Sequence, residues 1–197
     1  MEKTFRKDFG HLGWDEVYAR QAQRAHLLDA WMDAACLGAG DHVLEVGCGP
    51  GHVSLALADR VGPRGIVYAL DKSAEALAYL KGLQRERGIP NIHGICADAA
   101  TVDTLKPSPD AALITMVLHH AEDPPGILGN VARLLPCGAR VVVAEFHPDG
   151  PCEHRPPPSH RLAPEQVQAW CEDVGFAFER YRRQSPEHYM LVARRRT

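Results

Sequence analysis

The sequence predicts a doubly wound α/β domain built around a mainly parallel sheet. Short β-branched runs alternate with helical stretches along most of its 197 residues, which is the pattern of parallel strands joined by crossover helices. One apolar run leads straight into a glycine-rich turn and then a helix, an order typical of the ligand-binding edge of such sheets. The last helical stretch precedes two strand-like runs separated by a short turn, which adds an antiparallel strand. One domain accounts for a chain of this length.

The predicted elements follow this alternation in order. A helix from about Leu12 to Cys36 has apolar residues at three- and four-residue spacing, and Gly38 and Gly40 end it. Five predicted strands come next, at His42 to Val46, Ile66 to Leu70, Ile92 to Cys96, Asp110 to Val117 and Ala139 to Phe146. The predicted helices between them are Gly51 to Arg60, Ser73 to Arg87, a short one after Ala100, and Pro125 to Leu135.

A proline-rich segment interrupts this rhythm after the fifth strand. Its prolines exclude a regular helix between residues 147 and 163, and loops of this length are usually functional. A last helix is predicted over Pro164 to Val174, followed by strands at Phe176 to Arg182 and Glu187 to Arg194, which makes seven strands. The single domain 1–197 therefore divides into a helical cap (1–38), a core (40–146), the proline-rich loop as a candidate lid (147–163), and a final helix with antiparallel strands (164–197).

Composition and charge exclude several other classes. Hydrophobic residues make up 45% and charged residues 24%, as in an ordinary folded globule. The longest nearly apolar run, Ala111 to Leu118, is far shorter than the roughly 20 residues that cross a bilayer, and the polar start lacks a signal-peptide core, so we expect a soluble cytoplasmic protein. A net charge of -3 argues against a broad nucleic-acid-binding surface. The six cysteines contain no C-x-x-C pair, which favours reduced thiols over disulfides or structural zinc.

The most informative stretch is the apolar strand that ends at Val46 and the glycine-rich turn after it, Gly47-Cys48-Gly49-Pro50-Gly51. Glycines remove side chains where the backbone must approach a ligand, and the following helix N-terminus offers free N–H groups and a positive dipole. The turn is therefore a candidate cradle for a nucleotide or a carboxylate. Cys48 lies between glycines and is predicted to be a small packed residue, not a nucleophile.

Acidic residues around this turn narrow the choice of ligand. The glycines fall at alternate positions, whereas a dinucleotide fingerprint reads G-x-G-x-x-G, and His52 stands where its third glycine belongs. Glu45, two residues before the first glycine, is suited to hold a cation or a water network and would repel a pyrophosphate, which favours a ligand without phosphates. Asp71 follows the second strand, where a carboxylate accepts both ribose hydroxyls. Asp98 ends the third strand, where it is placed to accept an adenine amine.

At these residues the sequence resembles the class I S-adenosylmethionine-dependent methyltransferases. Residues 45–51 are similar to the family's first motif, Asp71 to its ribose-binding acid, Asp98 to its adenine-binding acid, and residues 110–120 to its fourth strand. The turn 134–138 resembles the entry to the family's fifth strand, with Cys137 where glycine is more usual. The resemblance implies a Rossmann-like seven-stranded sheet with helices on both faces, and S-adenosylmethionine as cofactor. It implies a cofactor site made of Glu45, Gly47, Cys48, Gly49, Gly51, Asp71, Lys72, Asp98, Ala99, Met116 and His119.

The segment that follows the fourth strand resembles a small-molecule group of that family, which includes the ubiquinone and menaquinone C-methyltransferases and the arsenite methyltransferases. We therefore expect a small-molecule acceptor. A hydroxyl or an acidic carbon must lose a proton before methylation, and His119, His120 and His147 are candidate catalytic bases at the ligand edge. Glu145 is a second base, an acceptor-binding group, or a group that binds local backbone. Near the amino terminus, Trp14 and Tyr18 either cover the cofactor or pack in the core.

Several alternatives stay open at the level of the sequence. The cofactor motif does not distinguish an enzyme from a noncatalytic S-adenosylmethionine-binding regulator or partner subunit, and a nicotinamide-dependent oxidoreductase is a weaker alternative. No metal site is predicted, because His147, His154 and His160 lack helical i, i+4 spacing. The acceptor atom and the choice between a monomer and a homodimer are not determined.

Overall fold

Seven strands form one sheet in the computed structural model, which describes residues 12–151 and 156–197. They are β1 (His42–Val46), β2 (Ile66–Asp71), β3 (Ile92–Cys96), β4 (Ala111–Thr115), β5 (Arg140–Phe146), β6 (Phe176–Arg183) and β7 (His188–Arg195). Their order is β3-β2-β1-β4-β5-β7-β6. The first five strands are parallel, and β7 runs antiparallel to β5 and β6. The predicted doubly wound, Rossmann-like sheet with an antiparallel C-terminal strand is confirmed.

Helices cover both faces of this sheet. They are α1 (Trp14–Ala22), α2 (Leu28–Ala34), α3 (His52–Val61), α4 (Ala74–Arg87), α5 (Pro124–Leu134) and α6 (Pro164–Asp173). Alternate strand residues serve the two faces: Val43 packs in the cluster that contains α2 and α3, and Leu44 in the cluster that contains α5 and α6. Burial on both sides explains why the central strands read as continuous apolar runs.

The predicted single helix from about Leu12 to Cys36 is wrong in its continuity. A 3-10 turn at Ala25–Leu27 separates α1 from α2. The two pieces pack differently: α1 contacts α3 and buries only Val17 completely, whereas α2 contacts both α3 and β5 and buries Trp31. A single straight helix would not make both sets of contacts, so the helix axis changes direction at the 3-10 turn.

The short helix predicted after Ala100 is also wrong. Residues 102–110 form an irregular connection, and side chains of α5 satisfy carbonyl groups around it. The Asn130 amide donates to the carbonyls of Ala99 and Val102, and Arg133 donates to the carbonyl of Asp103. These side-chain bonds replace the backbone bonds that a helix would have supplied.

The proline-rich loop is organised by a buried arginine. Arg161 donates hydrogen bonds to the carbonyls of His147, Gly150, Pro151 and Pro156, at 2.7–3.0 Å. A 3-10 turn lies at Pro158–His160. Residues 152–155, and with them His154, lie outside the described residues. In the parts of the chain that are described, no helix is both long and apolar enough to span a membrane.

Candidate functional site

The glycine-rich turn between β1 and α3 is built for close approach of its backbone. Gly47 and Gly51 have left-handed φ angles of 68° and 92°. A Cβ atom at Gly47 would lie 2.5 Å from the Val117 side chain, and one at Gly51 would collide with Leu80. The glycines are therefore required by conformation and by the neighbouring side chains of the protein, and the ligand cradle predicted from the sequence stays a prediction.

Side chains from two other elements hold the polar groups of this turn. The Gly49 N–H donates to the Asp71 carboxylate at 2.7 Å, and the Ser73 N–H donates to the other oxygen of Asp71 at 2.9 Å. The amide of Gln21, on α1, donates to the Cys48 carbonyl and accepts from the His52 N–H, both at 3.1 Å. Asp71 thus lies at the turn, as predicted. Gln21 was missed by the sequence reasoning, since nothing in the α1 pattern sets it apart.

Glu45 makes its contact inside the fold. Its side chain is buried and accepts a hydrogen bond from the Ser54 hydroxyl at 2.5 Å. Burial raises the pKa of Glu45 to about 8, with the Ser54 bond opposing the rise and the charge of Asp71 adding to it. The carboxyl is therefore mostly neutral at pH 7. The expectation that Glu45 is anionic is corrected accordingly, whereas its expected contact with a cation or a water network stays a prediction.

Cys48, within the turn, is buried as well. Its thiol donates weakly to the Gly49 carbonyl, at 3.6 Å. Burial, followed by the charges of Glu45 and Asp71, raises the pKa of the Cys48 thiol well above its ordinary value. The thiol is therefore not activated, in agreement with the predicted packed residue.

The remaining predicted cofactor residues lie at the carboxyl ends of neighbouring strands. Lys72 follows β2, and the exposed Asp98 follows β3 and accepts the Ala100 N–H at 2.8 Å. Ala99 is the next residue. Met116 follows β4 with a φ of 58°, and its N–H donates to the Ala144 carbonyl at 2.8 Å. These positions share one edge of the sheet, where ligands of doubly wound folds bind.

A buried pair of one histidine and one glutamate lies at the same edge, between the ends of β4 and β5. His119 Nδ1 is 2.6 Å from Glu145, and the His119 N–H donates to the same carboxylate at 3.3 Å. Both side chains are almost fully buried. Burial alone would raise the pKa of Glu145, but the charge and hydrogen bonds of His119 and the charge of His120 outweigh it and hold that pKa below its ordinary value. Glu145 is therefore ionised.

Aromatic rings extend from this pair. The His120 and His119 ring centroids are 4.0 Å apart, those of His119 and Phe146 are 5.4 Å apart, and those of Phe146 and His188 are 5.1 Å apart. The Arg24 guanidinium lies 5.9 Å from the Phe146 centroid. The structure thus brings together two of the three predicted bases, and adds Phe146, His188 and Arg24, which the sequence reasoning did not assign.

His147, the third predicted base, has a local role. Its Nδ1 accepts the Asp149 N–H at 3.1 Å, and its own N–H donates to the Glu187 carbonyl at 2.7 Å. These bonds shape the turn after β5, so a catalytic role for His147 stays a prediction without a supporting contact. Within residues 12–151 and 156–197, no group of three His, Cys, Asp or Glu side chains is arranged to hold a metal ion.

Of the aromatic residues predicted near the amino terminus, Tyr18 packs against the turn. Its ring meets that of His52 edge-on, with centroids 5.2 Å apart. Both His52 ring nitrogens are buried without a hydrogen-bond partner in the described part of the chain. Burial, together with the charges of Arg24 and Arg87, lowers the pKa of His52, so its ring is neutral. The contact between α1 and α3 is thus aromatic and uncharged at this point.

Comparison with known proteins gives the family. A methyltransferase domain family matches residues 37–193. Demethylmenaquinone methyltransferase of Lactococcus lactis is 31% identical over 143 residues, which are 70% of this chain and 56% of that protein. The 2-phytyl-1,4-naphtoquinone methyltransferase of Nostoc punctiforme is 33% identical over 55% of this chain and 47% of its own. The chain spans about half the length of these curated relatives.

Solved structures agree in fold. A SAM-dependent methyltransferase from Aquifex aeolicus superposes with a TM-score of 0.81 at 20% identity, covering 90% of this chain and 96% of that one. The [4+2]-cyclase SpnF superposes with a TM-score of 0.77 at 20% identity, covering 90% and 82%. The Asp71 carboxylate beside the glycine turn fits the ribose hydroxyls of a nucleoside-type cofactor. Because the family match spans most of the chain, the chain belongs to the methyltransferase domain family, as the sequence resemblance predicted.

Proposed function

We propose that this chain transfers the methyl group of S-adenosylmethionine to a small molecule whose acceptor atom must lose a proton, with His119 as the base. The observation that carries the proposal is the buried contact between His119 Nδ1 and Glu145, at 2.6 Å. The names of the curated relatives support a small-molecule acceptor, since they are quinone methyltransferases. A cytoplasmic location belongs to the same proposal.

The His119–Glu145 pair has the arrangement of an oriented general base. With Nδ1 donating to the ionised Glu145, the lone pair of the imidazole lies on Nε2 and is available to take a proton. The carboxylate also stabilises the imidazolium that forms when the proton arrives. Glu145 accepts two hydrogen bonds from His119, so its own role is to position and charge-balance the ring.

The base lies close to the cofactor turn along the sheet. β1 and β4 are paired neighbours, with Val46 opposite Ile114. The Val117 side chain fills the space beside Gly47, and His119 follows two residues later. When bound, the cofactor supplies an electrophilic methyl group on a sulfonium sulfur. The protein's part is to hold the acceptor in line, exclude water and remove the proton.

The test combines methyl transfer from labelled S-adenosylmethionine into a size-fractionated cell extract with the variant His119→Asn. The Asn amide can replace the Nδ1 donor toward Glu145 but cannot act as a base, so we expect a folded protein with turnover reduced by about 100- to 10,000-fold. His26→Asn, at an exposed histidine, is the matched control and should retain activity.

Each outcome of this test is informative. Label only in the protein or RNA fraction overturns the small-molecule acceptor. Full turnover in His119→Asn rejects the histidine base. If the chain binds the cofactor but transfers label to no fraction, the result supports the noncatalytic alternative.

A separate binding experiment tests the role of Asp71 in the cofactor site. Asp71→Ala should weaken binding of S-adenosylhomocysteine by about 1 to 3 kcal/mol through the loss of charge-assisted bonds. Asp103→Ala removes a carboxylate that is almost fully exposed and serves as the control. Unchanged affinity in the Asp71 variant, measured by titration calorimetry, would remove this residue from the site.

A further inference from the structure

We propose that Gln21 is a positioning residue that fixes the glycine-rich turn for the cofactor, so that docking of α1 and occupancy of the cofactor site are coupled. The inference rests on the proposed function, because it assigns a role toward the cofactor. It concerns a residue outside every motif that carried the sequence interpretation.

The geometry places the Gln21 amide directly against the turn. Nε2 donates to the Cys48 carbonyl and Oε1 accepts from the His52 N–H, so one side chain joins the start of the turn to the first residue of α3. A Cβ atom at Gly49 would lie 3.0 Å from Gln21 Nε2. Glycine at position 49 thus leaves room for the Gln21 side chain.

A turn of this kind needs external anchors. Gly47, Gly49 and Gly51 all have positive φ angles, and glycine loses more conformational entropy on ordering than any other residue. The side chains of Gln21 and Asp71 lie outside the turn and bond the backbone of residues 48–52. Gln21 makes two of these three bonds and is the anchor that comes from a separate helix.

Few other contacts dock α1 on the domain. Val17 is its one fully buried residue. Asp15 accepts the Tyr79 hydroxyl at 2.7 Å. Tyr18 meets the rings of His52 and Tyr79, and its hydroxyl accepts a hydrogen bond from Arg87 at 3.3 Å. With so little apolar burial, the two Gln21 bonds are a large share of the interaction between α1 and the rest of the fold.

Coupling follows from this arrangement by linkage. If Gln21 already holds the turn in its binding geometry, the turn loses less conformational entropy when the cofactor binds. The affinity for the cofactor is therefore higher. The same free energy acts in reverse, so a bound cofactor analogue must strengthen the docking of α1.

The test uses the full chain, S-adenosylhomocysteine, and the variants Gln21→Ala and Gln21→Glu. We expect Gln21→Ala to weaken binding by about 5- to 30-fold, the effect of two lost hydrogen bonds. Gln21→Glu keeps an acceptor for the His52 N–H but sets a carboxylate oxygen against the Cys48 carbonyl oxygen, so its loss should be at least as large as that of Gln21→Ala. Arg20→Ala breaks the exposed Arg20–Glu16 pair on the same helix and controls for helix stability, with an expected change of less than about twofold.

Two further readouts separate positioning from a structural role. Amide hydrogen exchange over residues 14–22 should slow when S-adenosylhomocysteine binds the wild-type chain, and this slowing should be lost in Gln21→Ala. In turnover assays, the KM for S-adenosylmethionine should rise while kcat changes little, because the Gln21 bonds act on the cofactor turn and not on His119.

The failure of this inference is distinguishable from that of the proposed function. A wild-type chain that binds no S-adenosylhomocysteine overturns the cofactor site and the coupling together. Wild-type binding with unchanged affinity in Gln21→Ala, or with no slowing of exchange in α1, overturns the coupling alone. If Gln21→Ala does not fold, the affinity of Gln21→Glu for S-adenosylhomocysteine is compared with that of Arg20→Ala, and the same outcomes apply.

Discussion

Two glutamates are fully buried near the carboxyl ends of β1 and β5, and the structure holds them in opposite protonation states. Glu45 is paired with the hydroxyl of Ser54, and its raised pKa, about 8, keeps it mostly neutral at pH 7. Glu145 is paired with His119, and the lowered pKa of Glu145 keeps it ionised. Burial acts on both carboxyls in the same direction, so the partner decides the outcome.

The difference assigns separate tasks to the two ends of the site. Beneath the cofactor turn, a neutral carboxyl and hydroxyl satisfy one another without bringing a net charge into the core. Beside the acceptor region, a carboxylate keeps an imidazole oriented and ready to accept a proton. This difference supports the proposed proton chemistry at the end of β5, and a structural role for Glu45 at the end of β1.

The largest predicted effect comes from removing the partner of Glu145. His119→Ala leaves a buried carboxylate unpaired, so the free energy of unfolding at pH 7 should fall by about 3 to 5 kcal/mol in urea denaturation. His119→Asn, which retains a donor, should recover most of this loss. The pKa of Glu145 is lowered by folding, so its stabilising contribution is present above its unfolded-state pKa and is lost as the pH falls through its folded-state pKa. A His119→Ala protein within 1 kcal/mol of wild type would show that the pair does not hold a charge.

Glu45 should give the opposite dependence on pH. Its pKa is raised by folding, so the folded state holds a proton that the unfolded state has released, and stability should fall by on the order of 3 kcal/mol between pH 5 and pH 8. Glu45→Gln keeps a neutral hydrogen-bonding group of the same size and should remove most of this fall, which makes the variant more stable than wild type at pH 8. Urea midpoints across this range provide the measurement, and equal pH slopes in the two proteins would contradict the assignment of a neutral Glu45.

The comparison of Glu45 with Glu145 also shows which parts of the site can be predicted from the sequence. The strands, the glycine turn and the acids after β2 and β3 were predictable because each depends on neighbours within a few residues. That Glu45 and His119 lie near the turn was predictable for the same reason. The charge state of Glu45 was not, because it depends on the depth of burial and on Ser54, which faces it from the next helix.

Contacts between residues far apart in the chain were missed for a related reason. Gln21 reaches the turn from 27 residues away, and Phe146 is met by Arg24 from the amino terminus and His188 from β7. No periodicity or spacing marks such residues, since their placement follows from how helices and strands pack. The break between α1 and α2 has the same origin in tertiary contacts, although the apolar pattern there reads as one helix.

The smallest predicted effect tests the bond between Glu45 and Ser54 itself. Ser54→Ala removes the hydroxyl from a fully buried site, so the free energy of unfolding should fall by about 1 to 3 kcal/mol near pH 6. The hydroxyl lowers the pKa of Glu45, so without it that pKa should rise further, and the loss of stability with rising pH should continue beyond the point where the wild-type curve levels. The double variant Glu45→Gln with Ser54→Ala supplies the coupling energy from the same denaturation curves. Curves for Ser54→Ala and wild type that run parallel from pH 5 to pH 9 would mean that Ser54 contributes packing alone, and that burial by itself keeps Glu45 neutral.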